Sequence, residues 1–406
     1  MPCRTLAQHH RPQHCPPRVS ETLLRPGLRT RQAFNVRGHR QVNTRVQEAG
    51  QYLKDRPMFT ALGVVTFLTL FGGMYGLYQY NKIFVVGQFQ AFPDPVAKKL
   101  RRALYYSNYS PSPKDAVKNY REALALADQI GMDPYSDEII GVKAHFAGYL
   151  EKIGQVHQSV ALLQLTRDDC QRYINDNRDN EENKTKSRKL LKKVIGMTVK
   201  IGELYGHPYL QSPEMAEKNL SAAVSAVLQA KARQESEGEE KEEGTWVTDE
   251  EAGATLEAAA EHYIQMDRYD LSAPLYLRAI ELCPKSDCNI VYLMNGLAVS
   301  LSGGTPQTST GAPQADRAAL FDAGRLWANK ALEVAGEIKP PERNEKCDTG
   351  CATVIQNLGQ MAETQGDLTE ARRRYDEARS LSKAISYDIG VEVATEALAR
   401  LEGNKS

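Results

Sequence analysis

The sequence lacks the short motifs that mark several large enzyme classes. It contains no GxGxxG, GxxxxGK[ST], HExxH or GxSxG, which bind dinucleotides, bind nucleotide phosphates, hold a catalytic zinc ion and expose a nucleophilic serine. Its eight histidines are scattered, and four of them lie within the first 39 residues. We therefore expect a protein that is not an enzyme and that needs no cofactor.

The chain also lacks a net charge, because it has 51 basic and 51 acidic residues. The zero total hides an unequal distribution. Residues 1–56 contain eleven Arg and Lys against three acids, so their net charge is +8 and that of residues 57–406 is −8. A protein that binds nucleic acid concentrates cations on its folded domain. The acidic main part of this chain therefore predicts no nucleic-acid partner.

The basic N-terminal segment resembles a targeting sequence. Residues 1–56 are rich in Arg, poor in acids and interrupted by Pro and Gly, without an apolar stretch of signal-peptide length. This composition is typical of a mitochondrial presequence, and a disordered basic tail on the matrix side is the alternative. We favour the presequence because an uncharged segment follows directly.

That uncharged segment, residues 58–80, predicts a transmembrane helix. Its 23 residues would extend roughly 34 Å as a helix, whereas the hydrocarbon core of a bilayer is about 30 Å thick. The alternative is a buried core helix, for which 23 uncharged residues are many. Gly72 and Gly76 have the GxxxG spacing that can bring two membrane helices together.

The charges on either side of this segment predict its orientation. The strongly basic side of a membrane helix stays on the side that is not translocated. With a presequence, that side is the mitochondrial matrix. We therefore expect a single-pass protein of the inner membrane with its C-terminal part in the intermembrane space.

The rest of the sequence repeats with a period of about 34 residues. In the clearest unit, residues 352–385, the pair Leu358 and Gly359 on one helix is followed by Tyr375 on the next. Such alternation of small and large residues is the tetratricopeptide repeat (TPR) pattern, in which small residues let two antiparallel helices approach closely. Further units cover or begin near residues 97, 140, 201, 253 and 289. We predict an all-α, TPR-like superhelix of about six hairpins behind the transmembrane helix.

Two polar segments interrupt the repeats. Residues 92–233 contain repeats 1–3 and residues 251–400 contain repeats 4–6. Between them, residues 234–250 form an acidic segment that we predict to be a disordered linker, because it has too little apolar surface to fold alone. This linker either divides the array into two halves or loops out of one continuous superhelix. Residues 302–314 are rich in Gly, Pro, Ser and Thr and predict a mobile loop.

Four cysteines in two close pairs form one candidate site. Cys283 and Cys288 lie in CPKSDC, and Cys347 and Cys351 lie in CDTGC. Each pair lies where one helix is expected to give way to the next, so disulfide bonds would join helix ends, and the sequence leaves the pairing of the four cysteines open. Free thiols and a zinc site are the alternatives, although zinc sites usually have two residues between paired cysteines.

A cluster of cations and tyrosines in the first repeat is a candidate peptide-binding site. TPR superhelices bind partner segments mainly through the first helix of each hairpin. The segment KKLRRALYY supplies Lys98, Arg101, Arg102, Tyr105 and Tyr106, which could hold an acidic or aromatic segment. The alternative is that the tyrosines pack inside and the cations are solvated. Tyr105 stands where TPR domains that bind a chaperone's C-terminal carboxylate have Asn, which argues against a chaperone-docking import receptor.

Four segments resemble one family in particular. They are LRRALYYSN (100–108), GMDPYSDEIIG (131–141), VKIGELY (199–205) and the CDTGC to NLGQMAE segment (347–363). Over residues 50–395 the chain resembles the fungal inner-membrane TPR proteins that act as adaptors of the mitochondrial i-AAA protease. The resemblance implies that the protein binds unfolded protein segments, the membrane-bound AAA protease and its co-adaptor subunits, and that it promotes degradation without catalytic residues. A TPR scaffold for respiratory-complex assembly or protein import is the alternative.

Overall fold

The computed structural model describes residues 57–80, 89–178, 180–237, 247–303 and 314–403. These residues form two compact units, of which the first contains residues 57–80 and the second contains the remainder. Fourteen α-helices occur in the described ranges: α1 Pro57–Tyr80, α2 Asp94–Asn108, α3 Pro113–Ile130, α4 Asp137–Lys152, α5 Val156–Asp176, α6 Lys184–Gly206, α7 Pro213–Glu237, α8 Asp249–Gln265, α9 Tyr269–Leu282, α10 Asn289–Gly303, α11 Gln314–Glu337, α12 Glu345–Thr364, α13 Leu368–Ala384 and α14 Asp388–Gly403. A short 3₁₀ turn, Glu181–Asn183, precedes α6. The predicted presequence, residues 1–56, lies outside the described residues.

The first unit is the uncharged helix α1. Its segment Ala61–Gln79 has a mean hydropathy of 1.5, and none of it is buried. Leu70 and Leu77, for example, leave 69% and 70% of their surface exposed. A core helix would bury such side chains, so the core-helix alternative does not apply. By length and composition α1 is able to cross a membrane.

The second unit consists of six antiparallel helical hairpins. They are α2/α3, α4/α5, α6/α7, α8/α9, α10/α11 and α12/α13. The last helix, α14, packs against α13 and buries Leu398 and Leu401 beside Tyr375. The prediction of an all-α, TPR-like fold with about six hairpins is confirmed.

Small residues facing large ones hold the hairpins together. A Cβ atom on Gly359 would lie 2.8 Å from the ring of Tyr375, the residue that the repeat pattern places opposite it. Tyr375 is 1% exposed, so its ring fills the space that Gly359 leaves. In the same way, a Cβ atom on Gly296 would lie 2.3 Å from the ring of Tyr276. These contacts are the structural basis of the sequence repeat.

The turn within the last hairpin follows from two residues. Gly366 has φ 83°, a left-handed conformation that glycine adopts without steric cost. The side chain of Asp367 then accepts a hydrogen bond of 3.0 Å from the backbone N–H of Glu370 and caps α13. These two residues therefore make the turn between α12 and α13.

The structure corrects both bounds of the predicted linker 234–250. Helix α7 continues to Glu237, and α8 already begins at Asp249. The second bound is set by a capping box, in which the Thr248 hydroxyl accepts from the Glu251 N–H at 3.1 Å and Glu251 accepts from the Thr248 N–H at 2.9 Å. Residues 238–246 lie outside the described residues.

The array continues across this linker. Side chains of the third and fourth hairpins share one buried cluster, formed by Ile195, Val227, Ala230, Val247 and Ala252. An ion pair of 3.0 Å also joins Lys192 on α6 to Glu251 on α8. The continuous superhelix, and not the division into two halves, is therefore the observed arrangement.

The predicted loop 302–314 is also shorter than expected. Helix α10 includes Gly303, and α11 begins at Gln314. The helix continues to Gly303 because this glycine packs on Tyr269, where an added Cβ atom would lie 2.5 Å from the ring. Packing against a neighbouring hairpin thus outweighs the low helix propensity of glycine. Residues 304–313 lie outside the described residues.

Candidate functional site

A groove lies between the second and third hairpins, on the helices that come first in each. It is a cavity of about 340 Å³ between α4 and α6, with α5 at its base. Its lining consists of Ile140, Gly141, Ala144, Ala147, Gly148, Ser159, Leu163, Lys193, Gly196, Met197 and Lys200. Nine of these eleven residues carry no charge and most are apolar, so the groove can accommodate an apolar segment.

Small residues keep this groove open. Gly141, Ala144 and Gly148 follow one face of α4, and Gly196 faces them from α6; all four are exposed. A Cβ atom on Gly141, Gly148 or Gly196 would meet no atom within 4 Å. Glycine within a helix costs about 0.5–1 kcal/mol relative to alanine. Packing does not require these three glycines, so their cost is explained by the open space they leave.

Another glycine on α6 shows the contrast. A Cβ atom on Gly202 would lie 2.6 Å from Cγ of Leu220, so the hairpin can close only if this residue is glycine. Gly202 allows α6 and α7 to pack closely, whereas Gly196, six residues earlier, lines the groove and leaves it open. Gly202 belongs to the repeat unit placed near residue 201. The sequence analysis missed the groove glycines, whose only signal was the spacing of small residues along α4.

Two ion-paired lysines flank the groove. Lys193 pairs with Asp137, and Lys200 lies 3.1 Å from Glu151 and 3.4 Å from Glu203. Burial lowers the pKa of Lys200, but the hydrogen bond from Lys200 to Glu151 and the nearby carboxylates outweigh it and raise the pKa overall. Lys200 is therefore charged at neutral pH. The two lysines and their carboxylate partners can orient a bound segment through hydrogen bonds, and they lie at the edge of a groove whose lining is otherwise largely apolar.

The predicted cluster on α2 divides between two environments. Lys98, Arg102 and Tyr105 are exposed together on one face of the helix. Arg101 and Tyr106 are half-buried, and Tyr106 packs against the hydrophobic core of the first hairpin. Three of the five residues thus share an exposed helix face, and the role of the cluster in peptide binding stays a prediction.

The four cysteines come together, and one disulfide joins a cysteine of the first pair to a cysteine of the second. Cys288 and Cys347 form a disulfide with an S–S distance of 2.02 Å and a Cα–Cα distance of 4.7 Å, across 59 residues of sequence. Both are buried in one hydrophobic cluster, against which Cys283 and Cys351 pack as free thiols. The bridge joins the start of α10 to the first turn of α12 and thereby connects the last two hairpins.

Helix geometry explains why Cys347 does not form a disulfide with Cys351. Cys347 and Cys351 are one turn apart on α12, so their Cβ atoms are separated by about 5–6 Å. A disulfide requires about 3.5–4.5 Å between Cβ atoms.

Among the described residues, no group of three or more His, Cys, Asp or Glu side chains could hold a metal ion.

The two free thiols are poorly reactive by position. Burial raises the pKa of Cys283 to about 11, with a smaller contribution from the carboxylates of Asp287 and Glu257. Burial likewise raises the pKa of Cys351, although Arg343 opposes the shift. Because the thiolate is the nucleophile, both side chains should be slow to react at neutral pH.

We expect the alkylation rate of Cys283 to report this raised pKa. With iodoacetamide and mass spectrometry, the rate in the folded protein should rise about 10-fold per pH unit from pH 8 to 10, since a pKa of about 11 leaves little thiolate in that range. In urea the same thiol should level off above about pH 9, as its ordinary pKa is about 8.5. A plateau below pH 9 in the folded protein would contradict the burial argument.

Six continuous hairpins with interlocking small and large residues make the chain a TPR-like repeat protein. No model of a known protein family matches it. A TPR repeat-containing protein of Schizosaccharomyces pombe is 26% identical over 314 residues, which cover 77% of this chain and 79% of that protein. This similarity agrees with the repeat class, and it indicates no enzymatic family.

Solved structures with related helical architecture were also compared. BtubC (BKLC) from P. vanneervenii has a TM-score of 0.47 and 13% identity, covering 68% of this chain and 92% of that chain. The TPR2AB domain of yeast Sti1, in complex with pHSP90, has a TM-score of 0.25 and 13% identity, covering 76% of this chain and 98% of that chain. Neither TM-score reaches 0.5, and the fold assignment rests on the packing of the hairpins themselves.

Proposed function

We propose that this protein is a non-catalytic adaptor of the i-AAA protease of the mitochondrial inner membrane. Helix α1 crosses that membrane with the N-terminus in the matrix. The hairpin array lies in the intermembrane space, where it binds unfolded protein segments together with the membrane-bound AAA protease and its co-adaptor subunits. The single observation that carries the binding function is the open groove between α4 and α6.

The groove suits an unfolded segment better than a folded surface. Its 340 Å³ can receive a few side chains of an extended chain, whereas a folded protein presents a broad convex surface. Its lining is dominated by aliphatic and small residues, so it sets few demands on which apolar side chain enters. Such low selectivity is what a protein needs if it binds many different unfolded segments.

Charge and the disulfide support the proposed location. The net charge of +8 before α1 and of −8 from residue 57 onward favours an orientation with the array on the translocated side. The disulfide between Cys288 and Cys347 favours an oxidising compartment, since cytosolic and nuclear proteins keep their thiols reduced. Both observations fit the intermembrane space.

The protease as partner rests on the family resemblance of four segments. One of them, GMDPYSDEIIG, runs into the start of α4 and ends at the groove residue Gly141. Another, VKIGELY, begins on α6 three residues after Gly196 and contains Lys200, which lines the groove. Two of the four segments that carry the resemblance thus border the candidate site.

Affinity purification of the tagged full chain from mitochondria in mild detergent tests the partner. We expect a AAA protease and co-adaptor subunits to be recovered with the chain. Recovery of respiratory-chain subunits or of import components without a AAA protease would contradict the proposal and favour the alternative scaffold. Treatment of intact mitochondria with protease provides a second test, because an array in the intermembrane space is protected whereas an outer-membrane receptor is digested.

A further inference from the structure

The exposed face of α2 carries a stripe of cations and aromatic rings. The stripe consists of Lys98, Arg102, Tyr105 and Tyr109, which are separated by four, three and four residues and therefore lie along one side of the helix. Tyr105 is 53% exposed and Tyr109, which caps the helix, is 81% exposed. Their rings stack with centroids 6.3 Å apart. Folding of the hairpin thus leaves two large aromatic side chains in contact with solvent.

The stripe does not contribute to the core. The opposite side of α2 holds Val96, Leu100 and Ala103, each less than 5% exposed. These three residues pack in the hydrophobic core of the first hairpin. In the described parts of the chain, neither Lys98 nor Arg102 forms an ion pair, and Glu122 on α3 is paired with Lys99 instead. Two cations without a direct ion pair therefore lie beside two exposed tyrosines, and Arg102 acts on Glu122 only at longer range, where it helps to lower the pKa of that carboxyl.

We propose that this stripe binds the anionic headgroups of a phospholipid membrane. Lysine and arginine near a membrane surface attract anionic lipids, and tyrosine rings favour the headgroup region because they have an apolar body and a polar tip. The stripe is one exposed side of a single helix, which can lie along a planar surface, whereas the groove between α4 and α6 is a cavity. A lipid surface therefore fits the stripe better than the peptide expected from the sequence.

The covalent connection to α1 makes a lipid surface available. Only the 13 residues 81–93 separate Tyr80, the end of α1, from Asp94, the start of α2, so the start of α2 cannot lie more than about 50 Å from the end of α1. Such a short tether gives a nearby surface a high effective concentration. The array has a net negative charge, so a basic face is the part that an anionic surface attracts. This inference rests on the proposed insertion of α1 in a membrane.

Tryptophan fluorescence of the full chain in vesicles tests the lipid contact. Tyr109→Trp places a reporter in the stripe, and Tyr209→Trp places a matched reporter at a 70% exposed position in the turn between α6 and α7. The vesicles contain brominated phosphatidylcholine with or without phosphatidylglycerol, and the emission of the native tryptophans is subtracted. We expect position 109 to shift to shorter wavelength and to be quenched only when phosphatidylglycerol is present, while position 209 remains unchanged.

Loss of the two cations should weaken this contact. In Lys98→Gln/Arg102→Gln, the ratio of lipid-bound to free stripe should fall about 25-fold, because each cation contributes about a factor of five near an anionic surface. The control Lys218→Gln/Lys285→Gln removes two exposed cations from other hairpins and should leave the signal at position 109 intact.

Each other outcome overturns the inference in a recognisable way. If the chain floats with vesicles after carbonate treatment but position 109 does not respond to phosphatidylglycerol, α1 is inserted and the stripe does not bind lipid. If position 109 responds only to an added unfolded polypeptide, the stripe is a peptide site as the sequence suggested. If the chain does not float, both the anchor and the lipid contact are wrong.

Discussion

Removal of the disulfide is expected to destabilise the last two hairpins by about 4 kcal/mol. Cys288→Ala/Cys347→Ala opens a loop of 59 residues, and closing a loop of this length restricts the unfolded chain by about that amount. Because repeats contact mainly their neighbours, the effect should be local. Hydrogen exchange should show loss of protection from α10 to α13, with little change in the first three hairpins.

A matched variant distinguishes the effect of the disulfide on stability from the effect of removing two cysteine side chains. Cys283→Ala/Cys351→Ala also removes two cysteines from the same cluster and leaves the disulfide in place. It should cost much less, and reductant should destabilise this variant and the native chain alike while leaving Cys288→Ala/Cys347→Ala unaffected. Equal losses in the two variants would show that packing of the side chains, and not the bridge, stabilises this region.

Substitutions in the groove are expected to change stability and binding in opposite directions. Gly148→Ala/Gly196→Ala adds two methyl groups where no atom lies within 4 Å, so it should stabilise the array by about 1–2 kcal/mol through helix propensity. Gly148→Leu/Gly196→Leu fills the groove and should weaken binding of an unfolded polypeptide more than 10-fold, a loss above about 1.4 kcal/mol. Fluorescence anisotropy with a reduced, carboxymethylated protein measures the binding, and urea unfolding measures the stability.

Gly253→Ala provides the control for this series. Gly253 lies within α8, away from the groove, and an added Cβ atom would make an ordinary contact of 3.9 Å with the Ala279 carbonyl oxygen. It should raise stability without affecting binding. If the leucine variant folds normally and binds as well as the native chain, unfolded segments bind elsewhere, and the groove loses its proposed role.

The repeat architecture could be predicted because its cause is local in sequence. Gly359 and Tyr375 are 16 residues apart, and their contact depends only on two neighbouring helices and the turn between them. The turn at Gly366 and Asp367 follows from the backbone preferences of those two residues. Each hairpin therefore leaves its own signature, which recurs along the chain.

The ends of the two polar segments were less predictable. Residues 234–237 have a polar, acidic composition, yet they extend α7. The predicted loop begins at residue 302, yet α10 includes Gly303, which packs on a tyrosine of the preceding hairpin. In both cases the helix that precedes the segment continues beyond the point where composition alone would end it. Composition gives the intrinsic helix propensity of a segment, whereas packing against neighbouring helices sets where the helix ends.

The apolar segment at α1, its flanking charges and the six hairpins follow from the amino-acid sequence alone, since each depends on composition or on contacts within one period. The pairing of the cysteines depends on helices far apart in the chain, because Cys288 meets Cys347 through the packing of α10 near α12. The tertiary structure also distinguishes the glycines that pack from those that leave space. Gly196 and Gly202 are the same residue type on the same helix. Gly202 packs against Leu220 on α7, whereas Gly196 faces α4 across the groove.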